Sequence, residues 1–369
     1  MSSPDHSTVD AIVLAGTHDS LVVEYQGRRL GKAFLPLGGC SLVGRVVQEL
    51  LVARGVGRVF VAGPTEFLEE SLAILSARQR GRVEIVAEGP TLVENGYRAF
   101  YRHLLPARGL PAPATPDYDA AAVAEYLASH PQARTVPALV VTADLPFLGA
   151  ADVESFLQRC HPQAALVMGL VEHAKLRRLA HYIGRPEVLD AWKLGAIPLH
   201  GVEVRMTNLF LVRPGLADPR IYALLDEMYG HRRLLHTDGK TNVRSWRALA
   251  RVTLRHCRRV NPWWRYGRAL LNFFPAMAAG LLARASYRRS PLLARPFRLL
   301  LRQRDLEFIA SLLLGTTAVM TIGGSPAPAI DIDVEESYRF LAAEDEAGYR
   351  QLRQALERLA AETAGPPGD

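Results

Sequence analysis

Pro137-Ala-Leu-Val-Val-Thr-Ala-Asp144-Leu-Pro146-Phe-Leu148 drives an apolar strand into a carboxylate and then a proline. A buried parallel strand reads as such a continuous apolar run. Ligands of open α/β sheets gather beyond the carboxyl ends of their strands, and Asp144 stands at that end. Pro146 restrains the backbone and disfavours the α region for Leu145. The position suits a carboxylate that holds a hard cation.

Working outward, Asp10-Ala-Ile-Val-Leu-Ala15 reads as a first strand closed by Gly16, followed by a loop. Ser41–Ala53 has helical spacing, Val56–Ala62 reads as a second strand and Phe67–Arg78 as a helix. Gly81–Ala87 is a third strand, with a helix over Leu92–Leu105 and a proline-rich loop over Pro106–Asp117. Beyond the Asp144 strand the pattern gives a helix at Asp152–Cys160 and a strand at Ala164–Val171. Two short strands are expected at Gly201–Arg205 and Leu209–Val212, parted by a polar break, and another at Thr316–Ile322. Glu335–Ala361 reads as a polar helix or a pair of helices. Alternating strands and helices predict an α/β fold with a mostly parallel sheet flanked by helices.

Composition sets looser bounds. Of 369 residues, 49% are hydrophobic and 22% charged, enough for a sizeable core. The cysteines Cys40, Cys160 and Cys257 are too widely spaced for a metal knuckle or a disulfide framework, which suits a reducing compartment. No basic segment leads into a signal-type apolar stretch, so a cytoplasmic chain is expected. The net charge of +7 hides two populations. Between Gly239 and Arg304 there are 15 Arg and one Lys but no acid, so the rest of the chain carries −9.

Two further stretches bear on chemistry. In the first loop, Gly16, Gly27, Gly31, Gly38 and Gly39 permit close backbone approach, and Lys32 supplies a mobile ammonium suited to phosphate. The loop matches neither Gly-x-x-x-x-Gly-Lys-Ser/Thr nor Gly-x-Gly-x-x-Gly. Near the C-terminus, Asp331 and Asp333 alternate with Ile330 and Ile332, so on an extended backbone both carboxylates face one way. One of them could join Asp144 around Mg²⁺, whereas Asp333 could equally cap the last helix. His173, His181, His231 and His236 lack zinc-ligand spacing and read as loop or surface residues.

Four pieces together resemble the molybdenum-cofactor guanylyltransferase-like branch of the nucleotidyltransferases. They are Ile12-Val-Leu-Ala-Gly16, Gly31-Lys-Ala-Phe-Leu-Pro-Leu-Gly-Gly39, Thr142-Ala-Asp-Leu-Pro-Phe-Leu148 and Asp331-Ile-Asp-Val-Glu-Glu336. The resemblance implies a GT-A-like, Rossmann-related fold. It also implies transfer of a nucleoside monophosphate from a nucleoside triphosphate to a phosphorylated acceptor, with release of pyrophosphate. On this chain it gives Ala15, Gly16 and Lys32 the triphosphate, and Asp144 and Asp333 the Mg²⁺. Lys32 and Asp144 become the catalytic pair. Glu88, Gly89 and Asn95, after the third strand, become base or ribose contacts; a cap or turn is the other reading of Asn95. The usual loop arginine is missing, and Arg28 or Arg29 would replace it. Arg205, Thr207, Asn208, Lys175 and Lys193 are candidates on the acceptor side.

The resemblance covers residues 9–215 and 316–345, and the chain is expected to divide into a core over residues 9–240, a mainly helical basic insertion over 241–315 and a return to the core over 316–361. In the insertion, Arg244, Arg247, Arg251, Arg255, Arg258 and Arg259 recur near helical spacing ahead of Trp263 and Trp264. The apolar run Ala269–Ala283 is too short for a spanning helix, which needs about 20 residues. The segment reads as a lid, as an interface with a second copy of the chain, or as an interfacial helix meeting an anionic membrane through 244–301. Nucleic acid, which needs a broad basic face with stacking aromatics, is not an expected partner. A nucleotide-sugar-dependent glycosyltransferase and a non-catalytic membrane-surface protein remain as alternative functions.

Overall fold

A computed structural model describes residues 8–17, 21–192, 194–234, 251, 254–259, 267 and 302–364. The apolar runs form the centre of one sheet. Its strands are β1 (Val9–Leu14), β6 (Val56–Gly63), β7 (Val83–Ala87), β8 (Ala138–Thr142), β9 (Leu166–Glu172), β10 (Ile197–Pro198), β11 (Glu203–Val212) and β12 (Ala318–Ile322). The spatial order is β12-β9-β11-β8-β1-β6-β7, with β10 paired to β11. β11 runs antiparallel to both β8 and β9, and every other pairing on that path is parallel. The sheet is therefore α/β and mostly parallel, as expected. Its first four parallel strands lie in the order β7-β6-β1-β8. The chain moves outward from β1 on one side and then returns to its other side, which opens a crevice at the carboxyl ends there.

Helices cover both faces. On one, α1 (Leu42–Val52) sets Val43, Val46, Val47 and Leu50 against Val13, Val59, Val61 and Val141. Ser41 starts α1 by accepting from Gly44 N at 3.1 Å. α7 (Ala150–Arg159) adds Val153 and Phe156 to the same layer. On the other face, α4 (Leu92–Tyr97) continues through a π-helical turn at Arg98–Leu104 into α5 (Leu105–Ala107). This stretch packs Tyr97, Phe100, Tyr101 and Leu104 on Ile12, Phe60 and Val86, and α6 (Ala120–Ser129) adds Val123 and Leu127.

Several local expectations change. The first loop contains a hairpin, β2 (Val22–Tyr25) with β3 (Arg28–Gly31), whose strands are four residues each. A smaller pair, β4 (Pro36–Leu37) with β5 (Cys40–Ser41), follows it. The helix expected at Phe67–Arg78 is two pieces, α2 (Thr65–Leu72) and α3 (Ala77–Arg80). Ser76 and Gln79 form a capping box that starts the second piece afresh. The two short strands around Arg205 are one: a register shift between Met206 and Phe210 absorbs the polar Thr207 and Asn208. Three helices complete this part: α8 (His173–Tyr182), which starts directly at the end of β9, α9 (Val188–Ala191) and α10 (Ile221–Leu234). His173 is buried, not a surface residue, and gives its Nε2 to Leu194 O at 2.9 Å.

Most of the expected insertion at 241–315, including Trp263 and Trp264, lies outside the described residues, as does most of the 244–301 stretch expected to meet a membrane. No helix among the described residues is long and apolar enough to cross a membrane. The described end of the insertion, α11 (Gln303–Leu314), lies along the edge strand β12. Gln303, Glu307 and Ser311, four residues apart on one helix face, meet its unpaired backbone. Gln303 Nε2 donates to Met320 O, Met320 N to Glu307 Oε1 and Ala318 N to Ser311 Oγ, each at 2.8 Å. The last element is one helix, α12 (Glu335–Ala364), the first of the two readings of this stretch, with left-handed φ values of 56° at Asp345 and 63° at Glu346 inside it.

Two outcomes follow from this packing. Glu307→Ala leaves Met320 N without its acceptor, and equilibrium urea unfolding should show a loss of about 1 kcal/mol; an unchanged midpoint would mean the edge is held otherwise. Asp152 on α7 is pushed up from 3.8 to about 6, first by burial and also by Glu49, against the opposing Gly149 N–H and Ser325 hydroxyl. The native state then keeps a proton the unfolded chain has lost, so stability falls as pH rises from about 4 to about 6. Asp152→Asn should remove that part of the slope. Unfolding measured below and above the window would contradict this if the difference between variant and wild type stayed constant.

Candidate functional site

The carboxyl ends of β7, β6, β1 and β8 carry Glu88, Gly63, Gly16 and Asp144 respectively. The strand ends approach closely: Ala15 N donates to Ala62 O at 2.8 Å, and a Cβ on Gly63 would come within 2.8 Å of Ala15 O. Gly16 is hemmed in too, since a Cβ there would lie 2.8 Å from Asn95 Nδ2 and 3.0 Å from Glu88 Oε1. Ala15, Gly16, Glu88, Gly89 and Asn95 therefore come together as one unit, from two loops far apart in sequence.

Hydrogen bonds staple that unit. Glu88 accepts from Thr17 N at 2.5 Å and from Thr17 Oγ1 at 3.0 Å. The buried Asn95 accepts from Gly89 N at 2.6 Å through Oδ1. Asn95 thus ties a loop from inside α4, while the capping role falls to Thr91, which accepts from Glu94 N at 3.1 Å. Glu94, buried one residue before Asn95, takes Arg98 Nε at 3.0 Å and Tyr118 N at 3.1 Å and so fixes the base of the loop.

On the other side of β1 stand three carboxylates. Asp144, only 5% exposed, lies with Asp331 and Asp333 so that one oxygen from each falls within 4.8 Å of the others. The extended segment bearing Asp331 and Asp333 docks through Ile332 N, which donates to Asp144 O at 3.2 Å. Ile330 and Ile332 are each 1% exposed and anchor the opposite side. The alternation in the sequence is thereby realised. Asp333 was the expected partner of Asp144; the structure adds Asp331, for which the same alternation was the signal.

Two cations offset part of the cluster's charge. Lys32 Nζ pairs with Asp144 and, at 2.8 Å, with Asp333. Burial works against the charged ammonium, but Asp144 and Asp333 prevail and raise its pKa above the ordinary lysine value. Arg205 Nη2 donates to Asp331 Oδ1 and Arg205 Nε to Ala329 O, both at 2.8 Å. Asp331 is pushed up by burial and by the neighbouring Asp333 and Asp144 carboxylates, against the opposing pull of Arg205 and Lys32. Asp144 Oδ1 is buried without a hydrogen-bond partner.

This donor set fits Mg²⁺. Opposite ligands about that ion stand roughly 4.2 Å apart, close to the 4.8 Å span of the three carboxylates, and all the donors are hard oxygens. The unpartnered Asp144 oxygen is the kind of group an ion satisfies.

The remaining expectations fare differently. Lys32, expected beside phosphate, lies between two carboxylates. Arg205 braces Asp331 and is not a free acceptor contact. Thr207 is buried against Gly169, where a Cβ would come within 2.2 Å of its Oγ1, so it serves packing. Lys175 Nζ donates to Gly324 O at 2.7 Å, and Lys193 lies outside the described residues. Asn208 is half-buried on β11. Arg28 forms a two-pronged pair with Glu70, both bonds 2.9 Å, which ties the hairpin to α2; Arg29 is exposed on β3.

No protein-family model and no curated protein matches this sequence. Among solved structures it is similar to a hypothetical transferase from Thermus thermophilus, 20% identical with a TM-score of 0.48, over 90% of this chain and 98% of that one. A 4-diphosphocytidyl-2C-methyl-D-erythritol synthase from Anaerococcus prevotii aligns over 91% of this chain and 95% of its own, at 8% identity and a TM-score of 0.39. A CMP:2-keto-3-deoxy-manno-octonic acid synthetase complexed with CTP aligns over 62% and 84%, at 14% identity and a TM-score of 0.33. Likenesses this distant carry no argument about activity.

Asn95 gives the test of the loop staple. Asn95→Ala strips a buried acceptor from Gly89 N and should cost about 1–3 kcal/mol. Hydrogen exchange at Gly89 should accelerate with it; protection as in the wild type would show that the staple is not the restraint.

Proposed function

We propose that this chain is a metal-dependent nucleotidyltransferase acting on a nucleoside triphosphate and a phosphorylated small-molecule acceptor. The observation that supports it most is the meeting of Asp144, Asp331, Asp333 and Lys32 at the same sheet end as the 15–17 and 88–95 loops. In this reading the stapled loops on the β7-β6-β1 side receive the nucleoside, with Ala15 and Gly16 close to the phosphates and Glu88, Gly89 and Asn95 toward the ribose and base. Asp144, with Asp331 and Asp333, would hold Mg²⁺, which supplies positive charge for the phosphoryl oxygens when bound. Lys32, on a flexible stem within reach of the cluster, would offset charge on the same oxygens.

An oxygen of the acceptor phosphate attacks the α-phosphorus, the α–β bridging bond breaks and pyrophosphate leaves. A phosphate oxygen is already nucleophilic, so the chain needs no strong base and its work is alignment and charge. Arg205 contributes by fixing Asp331 and the 329–331 backbone. In the same proposal, residues 9–240 and 316–361 form the catalytic core, and 241–315 acts as a lid or docking element.

The four nucleoside triphosphates with Mg²⁺ and pooled sugar and alcohol phosphates, followed by pyrophosphate release, would test this reading. Turnover with one triphosphate is expected, and Asp144→Asn should lower it by roughly 10²–10³-fold with its circular dichroism unchanged. If no triphosphate binds, the proposal fails. Binding of a nucleoside diphosphate-sugar without pyrophosphate release would replace it with glycosyl transfer.

A further inference from the structure

Lys32 occupies an unusual position for a lysine that is to meet phosphate. Its ammonium is inserted among the carboxylates, in ion pairs with Asp144 and with Asp333 at 2.8 Å. The residues it joins are 112 and 301 positions away in sequence, so the pairing is built by the fold and not by local chain geometry. Its side chain is 23% exposed and that of Asp144 only 7%, so the Asp144 pair is largely withdrawn from solvent screening. Asp144 Oδ1 stays buried without a partner even so. With Arg205 on Asp331, two positive charges face three carboxylates, so the cluster is left short of both charge and contacts.

A divalent ion among the same three carboxylates would remove that shortfall. It would also repel the ammonium, since both would compete for the same oxygens of Asp144 and Asp333. The other cation differs. Arg205 is held by two separate bonds, to Asp331 and to the Ala329 carbonyl, on β11. Its planar fork is a fixed brace, whereas a lysine is a single charge on a four-carbon stem that can swing away.

We propose that Lys32 is the internal counter-ion of the site: it holds the place of a divalent cation and gives up Asp144 and Asp333 when that cation enters. This rests on reading the three carboxylates as a cation site. Release makes the ammonium available to phosphate only after the carboxylates are claimed, so one side chain couples cation occupancy to triphosphate binding. It also offsets part of the cluster's negative charge before any ligand arrives. Cation affinity is consequently lowered by the lysine that serves the chemistry.

The test uses the full chain and Mn²⁺ alone, read by the paramagnetic resonance of the free aquo ion. Lys32→Met should bind Mn²⁺ more tightly than the wild type, on the order of tenfold, and Lys32→Arg should stay near the wild type. Mn²⁺ should raise the melting temperature of Lys32→Met more than that of the wild type. In the unmutated protein, acylation of Lys32 by an amine-reactive ester, read by mass spectrometry, should increase severalfold with Mn²⁺ while Lys175 stays constant.

If Asp144→Asn abolishes Mn²⁺ binding but Lys32→Met binds no more tightly than the wild type, the counter-ion role is wrong and the cation site stands. If Asp144→Asn binds Mn²⁺ like the wild type, the ion sits elsewhere and both readings fall. A Lys32→Met chain that stays unfolded at saturating Mn²⁺ would also overturn the inference, because the ion would then be unable to take the lysine's place.

Discussion

Three carboxylates with oxygens within 4.8 Å repel one another by about 3–4 kcal/mol per charged pair at an effective dielectric of 20. That repulsion opposes closure of the surrounding fold. Lys32 and Arg205 offset it in part, and doing so joins four separated parts of the chain. Lys32 follows the β2–β3 hairpin, Asp144 ends β8, Arg205 lies on β11, and Asp331 and Asp333 follow β12. The cluster is an electrostatic knot in the tertiary structure.

The segment from Gly323 to Asp333 makes the knot possible. β12 lies at the far edge of the sheet, three places from β8, so the chain must recross the carboxyl ends of the strands to bring Asp331 back. It does so on a chain of polar supports: Gly323 N to Leu170 O, Lys175 to Gly324 O, Arg205 to Ala329 O and finally Ile332 N to Asp144 O. Ile330 and Ile332 then bury the opposite side. The edge left by β12 is closed by the side chains of α11, so the recrossing segment starts from a fixed strand.

Much of this was legible because it is local. Apolar runs marked β1, β6 and β8, Ser41 marked the start of α1, and a two-residue period placed Asp331 beside Asp333 on one face. What escaped depended on distant partners. The β2–β3 hairpin has four-residue strands with exposed, partly charged residues, too short and too polar for a pattern to stand out. α8 follows β9 without a linker, and its buried His173 is explained only by the Leu194 carbonyl brought to it. The polar pair Thr207-Asn208 breaks the apolar pattern but not the strand, because a bulge accommodates it. Lys32 was legible as a candidate phosphate cation, yet the carboxylates it pairs with are supplied by the fold.

The two loops flanking Gly16 show the same division between preorganised and adjustable parts. Glu88 already holds both donors of Thr17, and Asn95 already holds Gly89, so this wall is set before any ligand arrives. Preorganised donors and acceptors lose little freedom on binding, which favours selectivity there. Across β1, Arg205 is equally fixed, held by two bonds from one planar group. Lys32 differs in kind. It is a single charge shared between Asp144 and Asp333, and a change in that cluster's charge alters its hold without disturbing a strand or helix. Fixed loops and a fixed Arg205 around one singly charged, flexible-stemmed Lys32 would let the protein keep its shape in the proposed exchange of its central charge.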